Sequence, residues 1–164
     1  MTEAVQRVPL WRRWVVNPIV NQLTQGADPS RLAMAVAYGV VLGIFPLLGT
    51  PTLLSLAVGI PLKLNQPVLQ IFKELAYPLH LASILVFIHA GEVLYQAEHL
   101  PLSLSVLTEK FFASPAEFMK QFGMLGVYAV SAWALVAPIL WTAIFFIARP
   151  LISHLSQRKS AIAP

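Results

Sequence analysis

The sequence predicts an all-α integral membrane protein, on three observations. Of its 164 residues, 57% are apolar and 11% charged, with a mean hydropathy of +0.71, whereas a soluble domain carries about a quarter charged residues. The thirty-one residues between Arg31 and Lys63 hold no formal charge. That run is broken at its centre by Phe45-Pro46-Leu47-Leu48-Gly49-Thr50-Pro51-Thr52, and two prolines with a glycine do not fit inside one straight spanning helix. The expected architecture is an interfacial N-terminal helix, a broken helical hairpin, two transmembrane helices and a short amphipathic surface helix between those two.

Residues 1–27 form the interfacial segment, because Leu10, Trp11, Trp14, Val15 and Val16 surround Arg12 and Arg13, with indoles suited to headgroup level and guanidiniums to phosphate. The same arginines interrupt the first apolar cluster, so no cleavable signal peptide is expected. Residues 28–148 form a single membrane domain that opens with a hairpin over 29–62. Asp28-Pro29 supplies a capping carboxylate and a proline at the first helical position. The first arm, to Phe45, is about 25 Å long, and its Gly39 and Gly43 make a small face that another helix can approach closely. Thr50-Pro51 repeats the signal, and the second arm, to Leu62, reaches about 18 Å. Both arms fall short of the roughly 30 Å hydrocarbon core. The hairpin is therefore expected to be re-entrant, with two full spans as the alternative if the first helix runs through Pro46 with a kink.

Asn65-Gln66-Pro67 starts the next span, over 67–92, which carries Lys73, Glu74, Pro78 and His80. Residues 93–122 are more polar, and Ser114 with Glu117 fits a capping box for a surface helix near 115–122. Residues 123–148 hold no charge and give the clearest span, closed by Arg149-Pro150 and followed by a basic tail, 149–164.

Basic residues set the orientation, since cytoplasmic loops accumulate lysine and arginine. The N-terminal region, the turn from Lys63 to Lys73 and the tail share the basic face, which places both termini in the cytoplasm and 93–122 outside. The formal charge of +4 flanks apolar runs, which fits anionic lipids as partners and does not fit nucleic acid. The absence of cysteine removes disulfides, thiolate metal sites and cysteine nucleophiles.

Pro29, Gly39, Gly43, Pro46, Gly49 and Thr52, then Leu64-Asn65 and Pro67, and later Pro78, resemble the bacterial membrane family catalogued as domain of unknown function 2062. The resemblance covers Asp28 to Tyr95. It implies a protein of the bacterial cytoplasmic membrane, in a family whose members occur alone or joined to glycosyltransferase-type domains and whose biochemical role is not established. The chain departs from the pattern at Pro51, where many members have glutamine, at Tyr77, where many have asparagine, and at His80, where threonine is common.

Candidate chemistry centres on the hairpin. At Thr50 to Leu53 the second arm presents free amides and the positive end of its dipole, an arrangement suited to anionic groups, with the Thr50 and Thr52 hydroxyls beside it. Glu74 and His80 are further candidates, because ionisable groups within a membrane are costly and usually functional. On a continuous helix His80 turns away from Glu74, so no direct pair is expected. Lys73 is expected to anchor at the interface by snorkelling. Arg31 and Lys63 would draw phosphate to the cytoplasmic mouth, while Pro46, Gly49, Pro51, Asn65 and Pro78 shape the hairpin and its packing. His89, Glu92 and His99 read as solvated polar residues, so no metal is expected, and no cofactor.

Without a glycine-rich phosphate loop, nucleophile elbow or zinc-binding helix motif, no enzyme is expected. Two readings follow. In one, the protein binds or transports an anionic or lipid-linked substrate, as a homo-oligomer because so few helices enclose little volume. In the other, it is a non-catalytic anchor or accessory subunit of a cell-envelope enzyme, and its glycine face is the docking surface.

Overall fold

The computed structural model describes residues 28–97 and 112–160. Among them are five helices and no strand: α1 (Pro29–Gly43), α2 (Pro51–Gly59), α3 (Gln66–Leu75), α4 (Tyr77–Tyr95) and α5 (Pro115–Ser160). The interfacial segment expected over 1–27, residues 98–111 of the loop with His99, and the last four residues lie outside the described residues.

The first three helices begin where the proline signals predict. Asp28 Oδ1 accepts from the Ser30 amide at 3.1 Å and Asn65 Oδ1 from the Val68 amide at 3.2 Å, each just before a proline whose missing N–H is not needed in a first turn. Thr50 departs from this pattern. It makes no side-chain cap, and its hydroxyl instead donates backward to the Leu47 carbonyl at 2.8 Å, tightening the turn. Gly49 adopts φ +77° there, a conformation open to glycine without a Cβ clash. At the other end of α2 the Leu64 amide reaches back to the Gly59 carbonyl at 2.9 Å. This closure puts Lys63 at φ 51°, where glycine is the usual occupant.

Two expected boundaries move. The single span over 67–92 is two helices, because Pro78 offers no N–H to the Glu74 carbonyl and its ring crowds that carbonyl. Ala76 is the joint, and Gly43 of α1 presses against it: a Cβ on Gly43 would lie 2.9 Å from both the Ala76 Cβ and the Lys73 carbonyl oxygen. Conversely, the surface helix near 115–122, the span 123–148 and the tail as far as Ser160 are one 46-residue helix, about 69 Å long. Pro138 and Pro150 lie inside it. Each removes one backbone bond, which the unbroken turns on either side tolerate, while Thr142 and Ser153 donate to the Pro138 and Pro150 carbonyls at 2.7 and 3.2 Å.

α1 is the centre of the fold, packed on α2 and α3 and on the C-terminal half of α5, whereas α4 lies along the N-terminal half of α5. Leu32 and Val36 of α1 share a core with Leu64, Leu69, Ala148 and Ile152. That cluster brings the neighbours of Arg31, Lys63 and Arg149 to the same end of the bundle. A second core joins Phe87 to Ala129 and Ala132, with Trp133 against it. Trp133 also ties the hairpin tip to α5, donating from Nε1 to the Val41 carbonyl at 3.2 Å and receiving Phe45 edge-on at 4.9 Å.

The exterior is apolar. Leu53, Leu79, Ile139 and Phe146 are all more than 60% exposed, whereas Ser55, Lys73 and His80 are buried. Two helical segments, Tyr77–Tyr95 and Phe122–Leu155, are long and apolar enough to cross a membrane. Only 22% and 6% of their most apolar windows are buried within the protein, so neither is the covered core helix of a soluble fold.

Candidate functional site at the hairpin tip

The faces on which α2 and α3 meet are polar. Gln66, Gln70 and Lys73 recur at helical spacing on α3, and Thr52, Ser55 and Gly59 face them from α2. Gln70 Nε2 donates to Ser55 Oγ at 3.0 Å, Ser55 Oγ donates to the Thr52 carbonyl at 2.8 Å, and Lys73 Nζ donates to Thr52 Oγ1 at 2.7 Å. Lys73 is 6% exposed, and its ammonium also lies 2.8 Å from Glu74 Oε1. Removing an ammonium from water costs several kcal/mol unless partners replace the lost hydration, and the threonine hydroxyl and the carboxylate do so here. Glu74 itself is 67% exposed.

This ion pair sits on the wall of a cavity of about 160 Å³ between the hairpin tip and the α3–α4 joint, together with Thr52, Tyr77 and His80. His80 is 1% exposed and its Nδ1 is buried without a hydrogen-bond partner. The Tyr77 ring stacks on it at 5.9 Å. Ser83 fixes the backbone behind, its Oγ lying 2.7 Å from the His80 carbonyl and 3.1 Å from the Ile44 carbonyl that α1 leaves unpaired at its end. Ligand pockets for drug-sized molecules measure about 300–1,000 Å³, so this one suits a single headgroup-sized moiety. Its lysine, hydroxyl and imidazole offer donors to an acceptor-rich group such as a phosphate, while the Glu74 carboxylate on the same wall balances the lysine's charge.

The structure brings together Thr52, Glu74 and His80 from the binding set, and with them Gly43, Gly49 and Pro51. Glu74 and His80 share the cavity because the helix breaks at Ala76; a continuous helix would have turned them apart. Thr50 is committed to the turn. Arg31 and Lys63 are exposed at the far end of the bundle and do not line the cavity. Pro46 is buried in the turn, Asn65 caps α3, and Pro78 makes the joint. Gly39 is pressed onto α3, where a Cβ would lie 2.6 Å from the Leu69 carbonyl, so the glycine face that a partner was expected to use is filled from within the chain.

Lys73 is the principal residue that sequence reasoning misplaced: it points into the hairpin, not out to an interface. The signal was available, since Gln66, Gln70, Lys73 and Glu74 are the polar residues of a helix that is otherwise apolar. Glu92 also differs from expectation, being 3% exposed with His89 Nδ1 3.6 Å from its carboxylate. Among the described residues no three His, Asp or Glu side chains converge as a metal ion would need. On the opposite side of α1, an apolar groove of about 420 Å³ runs between α1 and α5, lined by Tyr38, Trp133, Pro138 and Trp141 among others.

Residues 12–161 match the model of a family described as "Uncharacterized protein conserved in bacteria (DUF2062)". No curated protein and no solved structure matches the chain.

Proposed function

The chain belongs to this bacterial family, and we propose that it is a multi-pass protein of the bacterial cytoplasmic membrane whose re-entrant hairpin binds, or carries, an anionic or lipid-linked substrate without catalysing its conversion. The observation that carries this reading is Lys73, a lysine 6% exposed that lines the hairpin-tip cavity together with Glu74, Thr52 and His80. An ionised group so placed in a membrane is costly and is usually there for a ligand or an ion pathway.

The membrane setting is supported by the outward apolar faces of α4 and α5. A depth within the membrane is supported by α5. Phe45 at the tip packs on Trp133, which precedes Arg149 by sixteen residues, about 24 Å of helix. With Arg149 at the cytoplasmic edge, that is less than the roughly 30 Å core, which favours a tip inside the bilayer. The basic residues Arg31, Lys63 and Arg149, gathered at one end through the Leu32–Leu64–Ala148 cluster, favour that end as cytoplasmic. Both termini then lie on the cytoplasmic side.

Calorimetric titration of the detergent-solubilised protein with dihexanoyl phosphatidic acid, dihexanoyl phosphatidylcholine and inorganic phosphate tests the reading. A charge-assisted hydrogen bond contributes about 1.5–3 kcal/mol, so Lys73→Met is expected to weaken phosphatidic acid binding by about tenfold or more. Thr52→Val should weaken it less. Equal binding of the phosphatidic acid by wild type and K73M, or no preference over phosphatidylcholine, would remove the basis of the proposal.

A further inference from the structure

The polar contact between α2 and α3 extends well beyond the tip. From Lys73 it continues through Gln70 and Ser55 to Gln66, seven residues and about 10 Å lower along α3. Gln66 faces Gly59, whose Cβ would lie 2.6 Å from its Nε2, and both amide atoms of Gln66 are buried with no hydrogen-bond partner. A buried amide satisfied at neither end is unfavourable as it stands, and the group gains partners only if the seam admits water or a ligand. Just below, the turn that carries the exposed Lys63 closes the hairpin.

The grip on α2 is correspondingly slight. The only residues it buries are Ser55 and Gly59; no large apolar side chain of α2 is buried, while Leu53 and Leu56 are 71% and 37% exposed. Segments held by few apolar contacts open at low free energy. A helix clamped by hydrogen bonds to one polar face and coated with leucine on the other can part from that face and remain in lipid.

We infer that α2 is a lateral gate, and that its seam with α3 is the route by which the headgroup of an anionic lipid passes between the cytoplasmic base at Lys63 and the tip cavity at Lys73, its chains remaining in the bilayer against the exposed leucines of α2. This rests on the anion-binding reading of the tip. Gln66, Gln70 and Ser55 supply neutral donors and acceptors along the way, and Lys73 supplies the terminal charge.

The chain has no cysteine, so single cysteines report access without interference. Ser55→Cys, Gln70→Cys, Leu53→Cys and Ala35→Cys are reconstituted separately in phosphatidylcholine vesicles and treated with an anionic, membrane-impermeant methanethiosulfonate. Ala35 is fully buried and Leu53 is exposed, but on the face assigned to lipid. The gate predicts that S55C and Q70C react about tenfold or more faster than A35C and L53C, because local opening admits water to the seam alone. Dihexanoyl phosphatidic acid should slow both several-fold, and inorganic phosphate should not. Rates for S55C and Q70C equal to A35C overturn the gate even if Lys73-dependent lipid binding stands. L53C reacting as fast as S55C overturns it by placing α2 in water. Protection by inorganic phosphate alone, or by neither compound, overturns the lipid route. Two seam positions keep the test decisive if one variant fails to fold.

Discussion

Adding a single methyl group to Gly39 or Gly43 tests the packing on which the site depends. A Cβ at Gly39 would lie 2.6 Å from the Leu69 carbonyl oxygen and 2.9 Å from the Phe72 Cβ, and one at Gly43 would lie 2.9 Å from the Lys73 oxygen and the Ala76 Cβ. Ordinary contact begins near 3.4 Å, and three of these four neighbours are atoms of α3 itself that cannot rotate away. The helices must part by about 0.5–0.8 Å. Overpacking on this scale costs about 1–3 kcal/mol, against which alanine returns up to about 1 kcal/mol of helix propensity. With the full propensity return, a net loss of up to about 2 kcal/mol is expected for Gly39→Ala and for Gly43→Ala. Gly123, on α5, meets nothing within 4 Å, so Gly123→Ala should gain up to about 1 kcal/mol from propensity alone. Thermal unfolding in detergent, followed by tryptophan fluorescence, should place G39A and G43A below wild type and G123A at or above it. If G39A and G43A match or exceed wild type, or G123A falls as far as they do, α1 and α3 are not packed as described.

Three further substitutions probe local devices. Asn65→Ala removes the cap on α3 and should lower stability by about 1 kcal/mol in the same assay. Lys63→Gly relieves the left-handed conformation at φ 51° and should raise stability by about 1 kcal/mol; a fall would mean that the lysine side chain has a stabilising contact. Trp133→Phe keeps a ring against Phe45 but loses the bond to the Val41 carbonyl, so it should cost about 1 kcal/mol and increase hydrogen exchange at the hairpin tip. Unchanged exchange there would separate the tip from α5.

The legible parts of the fold were those written locally. Asp28-Pro29, Thr50-Pro51 and Asn65-Gln66-Pro67 each mark a helix start with a few adjacent residues, and the starts of α1, α2 and α3 fall on them. What local signals do not carry is whether a proline inside a helix breaks it. Pro138 and Pro150 are absorbed by α5, whereas Pro78 ends α3, where the close approach of Gly43 adds to the lost hydrogen bond. That difference lies in tertiary contact, and it governs the site. The joint at Ala76 sets Glu74 and His80 on one cavity, an arrangement that counting residues along a continuous helix excludes. Lys73 was misplaced for a related reason: a lysine two turns into a helix can snorkel or turn inward, and the outcome depends on Thr52 waiting on a helix twenty-one residues away. The family match extends over residues 12–161, well beyond the 28–95 that carry the resemblance.

The central claim, that Lys73 makes the hairpin tip an anion site in the membrane, is tested most directly by native mass spectrometry of the wild-type protein and K73M, each extracted with its own lipids. The wild type should retain a defined anionic or phosphate-bearing lipid that K73M loses, while both keep the same α-helical circular dichroism. Recovery of the same bulk phospholipids on both proteins would contradict the claim.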